Sequence, residues 1–190
     1  MMIVSQVMML YAELDRQVAG FQLKTGLQCP FGCGLCCPTA GVYATVPEML
    51  PAAEEILRRG TEQKWLERIA QTPSTPGCVL YLTDRPEDSP GNCGFYTWRP
   101  AVCRLFGFAA VHTRESHQVL AACKHLKILD PTTVACAMAH AAEAPCFSNV
   151  SSMLYAIDPT LGNRLMPINE ALKEAIHRMG LYLQMSGEIT

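Results

Sequence analysis

The sequence predicts a mainly α-helical fold with a small, irregular β component: a single cysteine-rich domain stapled by thiolate–metal bonds. Three observations carry this reading. Apolar residues recur at helical spacing near both ends of the chain, and strand-type runs are few and short. Ten cysteines fall in 190 residues, four of them in one Gly- and Pro-rich stretch, Cys29-Pro-Phe-Gly-Cys33-Gly-Leu-Cys36-Cys37-Pro38. At 49% hydrophobic residues, a chain of this length buries a core without cross-links, so the thiols are not there to rescue a tiny fold. Residues 1–190 read as one domain, with 29–123 as a cysteine-cluster core, and no repeat, low-complexity tract or linker divides them.

The elements follow in order. Val4, Val7, Met8, Tyr11, Leu14 and Val18 share one helical face over residues 3–20, and Gly20 and Gly26 end that helix before the cysteine loop. Val42, Tyr43 and Val46 suit a short strand within 40–46. Pro47 opens a helix that runs to about Arg59 and stops at Gly60. Thr61 caps a second helix, Glu62 to Gln71, with Trp65, Leu66 and Ile69 on one side. A loop over 71–77 leads to a strand from Cys78 to Leu82. Turn residues fill 84–92, and 93–96 returns as a second strand. Pro100 starts a short helix past Cys103 to Phe106, and 118–122 forms another strand. Asp130-Pro131 is a start signal for an Ala-rich helix to about Ala144, ended before Pro145. Turn residues scattered through 147–165 predict mostly loop. The final helix spans about 167–185, with Ile168, Leu172, Ala175, Ile176, Met179 and Leu183 on one face.

Composition excludes several functions. The net charge is −2 and no long basic run is present, so nucleic-acid binding through phosphate neutralisation has little support. The apolar N-terminus lacks a basic flank and a small-residue cleavage site before Glu13 and Asp15, which reads as a mature helix. No apolar run reaches the length of a membrane span. The expected compartment is the cytoplasm, where thiols stay reduced, and ten cysteines there point to metal ligation before disulfides.

The chemistry gathers at Cys29, Cys33, Cys36 and Cys37. Gly and Pro between them favour a tight irregular loop that turns several sulfurs toward one place. Metal binding needs that convergence, because thiolates must meet an ion at about 2.3 Å. In extended backbone, successive side chains point to opposite faces. The adjacent pair Cys36-Cys37 therefore either bends sharply or serves two partners.

Further along stand Cys78, then Cys93, Tyr96, Arg99, Pro100, Cys103, Arg104 and Phe106. Together with the first loop they match C-x3-C-x2-CC, a later cysteine, and C-x2-Y-x2-RP-x2-CR with an aromatic two residues on. The stretch 29–106, extended to Cys123, resembles the CxxxCxxCC zinc- or iron-chelating domain family, the YkgJ-type cysteine-cluster proteins. The resemblance implies metal binding without fixing the metal. Flagellin lysine N-methylases carry a similar cysteine domain, for which an iron–sulfur cluster is the expected cofactor. Nothing here matches the rest of such an enzyme, so that activity is not carried over.

The count agrees with the resemblance. Cys29, Cys33, Cys36, Cys37, Cys78, Cys93, Cys103 and Cys123 supply eight thiols, enough for two four-cysteine sites. Such sets hold 4Fe–4S clusters or structural zinc. A C-x3-C-x2-C run in a Gly loop suits the wider reach of a cluster, which favours iron–sulfur over zinc. Arg99 and Arg104 flank Cys103 and are candidates to offset the negative charge of a thiolate-ligated cluster; the competing reading puts Arg99 on the surface. The expected function is electron transfer or an accessory role to a redox enzyme or methyltransferase, with an unidentified protein partner. The alternative is a zinc-stapled interaction module.

Cys136 and Cys146 fall outside the pattern. Cys136 and His140 are four apart on the Ala-rich helix and share a face, which suits core packing better than ligation. His112, His117 and His125 lie near Cys123 and read as surface or core residues, with His125 the one to inspect. Cys29, Cys33 and Cys36 also have the spacing of radical-SAM enzymes, but the chain has too few strands for their barrel, and Leu35 stands where an aromatic is usual. No catalytic acid–base pair is evident: Asp84, Glu87 and Asp88 share one turn, a pattern typical of a solvated run.

Overall fold

In the computed structural model, residues 2–29, 33–39, 41–72, 77–83 and 91–187 are described. Eight α-helices and three two-stranded antiparallel ladders make up these residues, the mainly α architecture the periodicity predicts. The turn bearing Asp84, Glu87 and Asp88 lies outside the described residues.

Helix α1, Met2–Thr25, is longer than predicted. Gly20 does not end it, because Phe21 still has a place in the core. Gly26 does end it, with φ of 73° and its amide on the Gln22 carbonyl at 2.8 Å, a left-handed residue of the kind that closes many helices. Helix α2, Val46–Arg58, begins with a capping box: the Thr45 amide donates to the Glu48 carboxylate at 2.7 Å, and the Glu48 amide to Thr45 Oγ1 at 3.5 Å. Helix α3, Glu62–Gln71, has the predicted bounds, but Thr61 does not cap it through its side chain; Thr61 Oγ1 donates instead to the Ile56 carbonyl. Helix α4 is the short Ala101–Leu105 segment with Pro100 at its N-cap.

The second half departs more from the prediction. Helix α5, Lys124–Leu129, was not anticipated. Helix α6, Pro131–Ala139, starts as predicted, with Asp130 Oδ1 accepting from the Thr133 amide at 3.0 Å, but it ends early and passes into a 3₁₀ turn at Ala141–Glu143. The expected loop over 147–165 contains helix α7, Phe147–Ile157. Ser151 and Ser152 hide it from propensity arguments; their hydroxyls bond back to the carbonyls of Phe147 and Ser148, while Val150 and Leu154 bury one face. Helix α8 is Ile168–Ser186.

The strands are shorter than predicted. β1, Tyr43–Ala44, pairs with β6, Met166–Pro167. β2, Tyr81–Leu82, pairs with β3, Asn92–Cys93, so that Tyr81 faces Cys93; the strand expected over 93–96 ends at Cys93, and a 3₁₀ turn follows at Tyr96–Trp98. β5, Gln118–Leu120, pairs with β4, Ala110–His112. Among the described residues this pattern of antiparallel pairs gives no barrel of alternating strands and helices, which counts against the radical-SAM reading.

Two apolar cores share α1. One joins Val7, Tyr11, Leu14 and Phe21 to Leu105, Phe108, Leu126 and Leu154. The other packs α2 on α8, with Met49, Ala53 and Ile56 against Leu172, Ala175 and Met179. No helix among the described residues is long and apolar enough to cross a membrane.

Candidate metal centre

A cavity of about 660 Å³ opens between these cores, and all eight family-pattern cysteines line it. They reach it from separate segments. Cys33, Cys36 and Cys37 come from a turn in which the Cys37 amide bonds to the Gly34 carbonyl at 2.9 Å. Gly34 is required there, since a Cβ would sit 1.7 Å from the carbonyl oxygen of Gly91 and push the loop off the β2–β3 hairpin. Cys78 is tied to the same turn by its amide, 3.0 Å from the Cys37 carbonyl oxygen. Gly77 permits that approach: its φ is 108°, and a Cβ would meet Cys37 O at 3.0 Å. Cys93 ends β3, Cys103 rides on α4, and Cys123 is the N-cap residue of α5.

The thiols act on one another. Cys29 lies within range of the charges of Cys33, Cys36 and Cys123. Cys103 lies within range of Cys78, Cys36 and Cys93, and Cys37 within range of Cys36, Cys93 and Cys103. Cys36 stands between the two groups. Partial desolvation of the otherwise exposed Cys29, then the neighbouring Cys33, pushes its thiol up to about 12, and burial does the same for Cys78. Burial also raises Cys93 and Cys103. Cys36 goes the other way, to about 7, because it accepts a hydrogen bond from the Cys37 thiol, with the Arg99 guanidinium adding a smaller pull; the same bond raises Cys37. A metal site assembled here would thus begin from mostly neutral thiols and one ready thiolate. Among the described residues, no three Cys, His, Asp or Glu side chains yet converge tightly enough to close on one ion.

The two arginines separate in role. Arg104 is buried and fully engaged: it lies over the Tyr11 ring at 4.2 Å, pairs with Asp15, and donates to the carbonyls of Arg99 and Thr97. It braces α4 against α1. Arg99 stacks on Tyr96 at 3.8 Å and sends its field toward Cys36 and Cys93.

Two supporting residues escaped the sequence reading. Glu48 is buried in the cavity wall. Its carboxylate accepts the Thr45 hydroxyl and amide and also the amides of Ala101 and Val102, linking the start of α2 to the helix that carries Cys103. Burial raises its carboxyl, and these bonds oppose the rise. The capping-box pattern Thr45-Val-Pro-Glu48 was legible as a signal. Asn169, in the first turn of α8, accepts the Val79 amide at 3.0 Å and donates to the Gly77 carbonyl at 3.0 Å, holding the backbone on both sides of Cys78; no sequence pattern marks it.

Cys136 and His140 do not form a ligand pair: the His140 ring bonds to the Cys136 carbonyl oxygen at 2.9 Å, and the Cys136 side chain is exposed. His125 is half-buried in the first turn of α5, and His117 lies 3.7 Å from Glu115 at the surface.

The donor set is all sulfur, backed by an apolar wall that includes Phe106, Phe108, Phe147 and Leu154. Soft thiolates in a mostly apolar cavity fit zinc or an iron–sulfur cluster and do not fit calcium or magnesium, which take oxygen. A family model described as CxxCxxCC, putative zinc- or iron-chelating domain, matches residues 28–125. No curated protein and no solved structure gives a significant match.

Proposed function

Because the chain belongs to the CxxCxxCC family of zinc- or iron-chelating domains, we propose that its cavity holds two 4Fe–4S clusters and that the protein transfers electrons or serves a redox enzyme or methyltransferase as an accessory. The coarse function, metal binding by a cysteine-rich domain, follows from the family itself. One observation carries the finer reading: eight thiols line one cavity in two overlapping groups. We assign Cys29, Cys33, Cys36 and Cys123 to one centre and Cys37, Cys78, Cys93 and Cys103 to the other. Cys36 and Cys37 would serve different centres, which requires the turn that now holds their sulfurs in a shared hydrogen bond to open on loading.

A bound cluster would supply one-electron chemistry. The chain's own part is to present thiolates, exclude water with the Phe106 and Phe147 side of the cavity, and set charge nearby. Arg99 is suited to that last role, since its guanidinium already faces Cys36 and Cys93. The Tyr96 side chain is exposed beside the cavity and suits docking of a protein partner in a reducing compartment.

Zinc staples are the second reading. The observation favouring them is the two-residue length of β1, β2, β3 and β6, which leaves the loops around the cavity with few hydrogen bonds of their own.

Anaerobic purification with iron, sulfide and zinc determination separates the readings. Two clusters require about eight irons and eight sulfides per chain. Cys36→Ser and Cys37→Ser should each remove roughly half of the iron. Saturation at about four irons without zinc, with at least four of the eight thiols open to alkylation, would refute two centres; a colourless protein holding zinc alone would establish the second reading.

A further inference from the structure

Away from the cavity, a second sulfur has a built environment. Strand β4 ends on His112, and its partner β5 places Gln118 directly opposite. On the other edge of β4, the Ala110 amide bonds to the Pro145 carbonyl at 2.8 Å, and Ala110 bridges Cys146. Three segments are thereby locked side by side. Cys146 Sγ sits 3.4 Å from His112 Nδ1 and 3.3 Å from Ser148 Oγ, and Ser148 Oγ is itself 3.4 Å from the same ring nitrogen. The far ring nitrogen, His112 Nε2, lies 3.5 Å from the Gln118 amide nitrogen, Nε2. A flip of that amide, within the freedom of its assignment, turns its oxygen to the ring and fixes the Nε2–H tautomer. Nδ1 is then free to accept a proton from sulfur. This is the arrangement of nucleophile, base and orienting group found where a thiol is activated.

We propose that Cys146 and His112 form a thiol–imidazole pair that reduces small hydroperoxides, a redox site distinct from the cysteine-lined cavity. Cys146 is also the N-cap residue of α7, a helix of 11 residues, whose N-terminus favours negative charge on the sulfur's side. The reactant class follows from access. Cys146 is only 4% exposed, yet it borders a polar pocket of about 390 Å³ shared with Arg16, Gln17, Gln118 and Asn149. A small polar oxidant reaches it and a macromolecule does not. In the step, the Cys146 proton passes to His112 Nδ1, and the sulfur attacks the terminal oxygen of the hydroperoxide. The O–O bond breaks, Cys146 is oxidised by two electrons to the sulfenic acid, and the departing oxygen takes the proton from His112 and leaves as water or an alcohol.

Cys136 provides an internal control, since it is an exposed thiol outside the cavity. The metal-loaded protein is treated with equimolar hydrogen peroxide and a sulfenic-acid trap such as dimedone, and adducts are located by peptide mass spectrometry. Cys146 should be trapped about 100-fold faster than Cys136. His112→Ala should bring Cys146 down to the rate of Cys136 while leaving Cys136 and the metal content unchanged. His112 is exposed, so the variant keeps its fold, and the metal content verifies it. Trapping of Cys146 no faster than Cys136, or an unchanged Cys146 rate in His112→Ala, overturns the proposal.

Discussion

The packed pair α2 and α8 and the thiol-lined turns around the cavity are stabilised by different physics. In the pair, Met49, Ala53 and Ile56 meet Leu172, Ala175 and Met179 with almost no exposure. Apolar burial and backbone bonds within each helix suffice there. Around the cavity, β2 and β3 are two residues each, the 33–39 segment is a turn, and Cys78 is tied to it by one amide bond to Cys37 while Asn169 holds its neighbours Gly77 and Val79. Burial there raises the thiols of Cys78, Cys93 and Cys103, which stay protonated until a ligand claims them. The difference teaches that one half is specified by side-chain volume and the other by donor chemistry.

Metal removal should break the symmetry most. Stripping the protein with a chelator under anaerobic conditions should lower amide-exchange protection in 33–39 and 77–83 toward the roughly zero opening free energy of frayed segments. Protection in α2 and α8 should persist. Equal loss in both halves would show that the helices depend on the metal as much as the turns do.

That division also marks what was legible beforehand. The helices with a strong apolar face, α1, α2, α3 and α8, were readable because burial imposes a period of 3.6 on the residues themselves. Helix α7 was not, because Ser148, Ser151 and Ser152 dilute its face and its stability comes from the cavity side that Val150 and Leu154 fill. The first four thiols were readable from type and spacing and the later four from the family resemblance, and the structure does bring all eight to one cavity. The supports were harder. Asn169 acts across the chain on Gly77 and Val79, and such long-range pairing leaves no local trace. The contact of Cys146 with His112 depends on a bridge between Ala110 and Cys146 that no periodicity announces.

A core substitution tests the helical half alone. Leu172 is completely buried between α8 and α2. Leu172→Ala should cost about 2–5 kcal/mol through lost burial and the cavity left behind, read as a lower midpoint in denaturant unfolding, with metal per folded chain unchanged. A loss of metal in proportion to stability would mean that the two halves fold as one unit.

Acidification tests the other half. Burial raises the Cys78 thiol to about 12, and partial desolvation with the neighbouring Cys33 does the same for Cys29, so both are protonated in the metal-free protein at neutral pH and must release their protons on loading. Metal retention should therefore strengthen as pH rises and weaken as it falls, by about tenfold per pH unit for each proton displaced. Competition with a chelator at several pH values between 6.5 and 8.5 measures the slope. A flat profile would mean that the thiols are already ionised before loading.

The smallest effect is expected where charge, and not volume or metal, holds the helical half. Glu55 closes α2 by accepting from Arg58 and Arg59, each at 2.6 Å. The hydrogen bond from Arg58, followed by that from Arg59, lowers its carboxyl to about 2. A depressed acid contributes stability at pH values above its unfolded pKa, and that contribution is lost as pH falls toward the folded value. Both arginines are well exposed, 69% and 40% by side chain, so solvent screening keeps the contribution small. Arg59 also retains its place over the Phe95 and Trp98 rings without the carboxylate, at 4.8 and 5.3 Å. Glu55→Gln should thus lower the Tm by about 2 °C at pH 7, and the gap to wild type should narrow as pH falls from 5 and close near pH 2. A loss at pH 7 comparable to that of Leu172→Ala would place an ion pair, and not apolar packing, at the centre of the helical half.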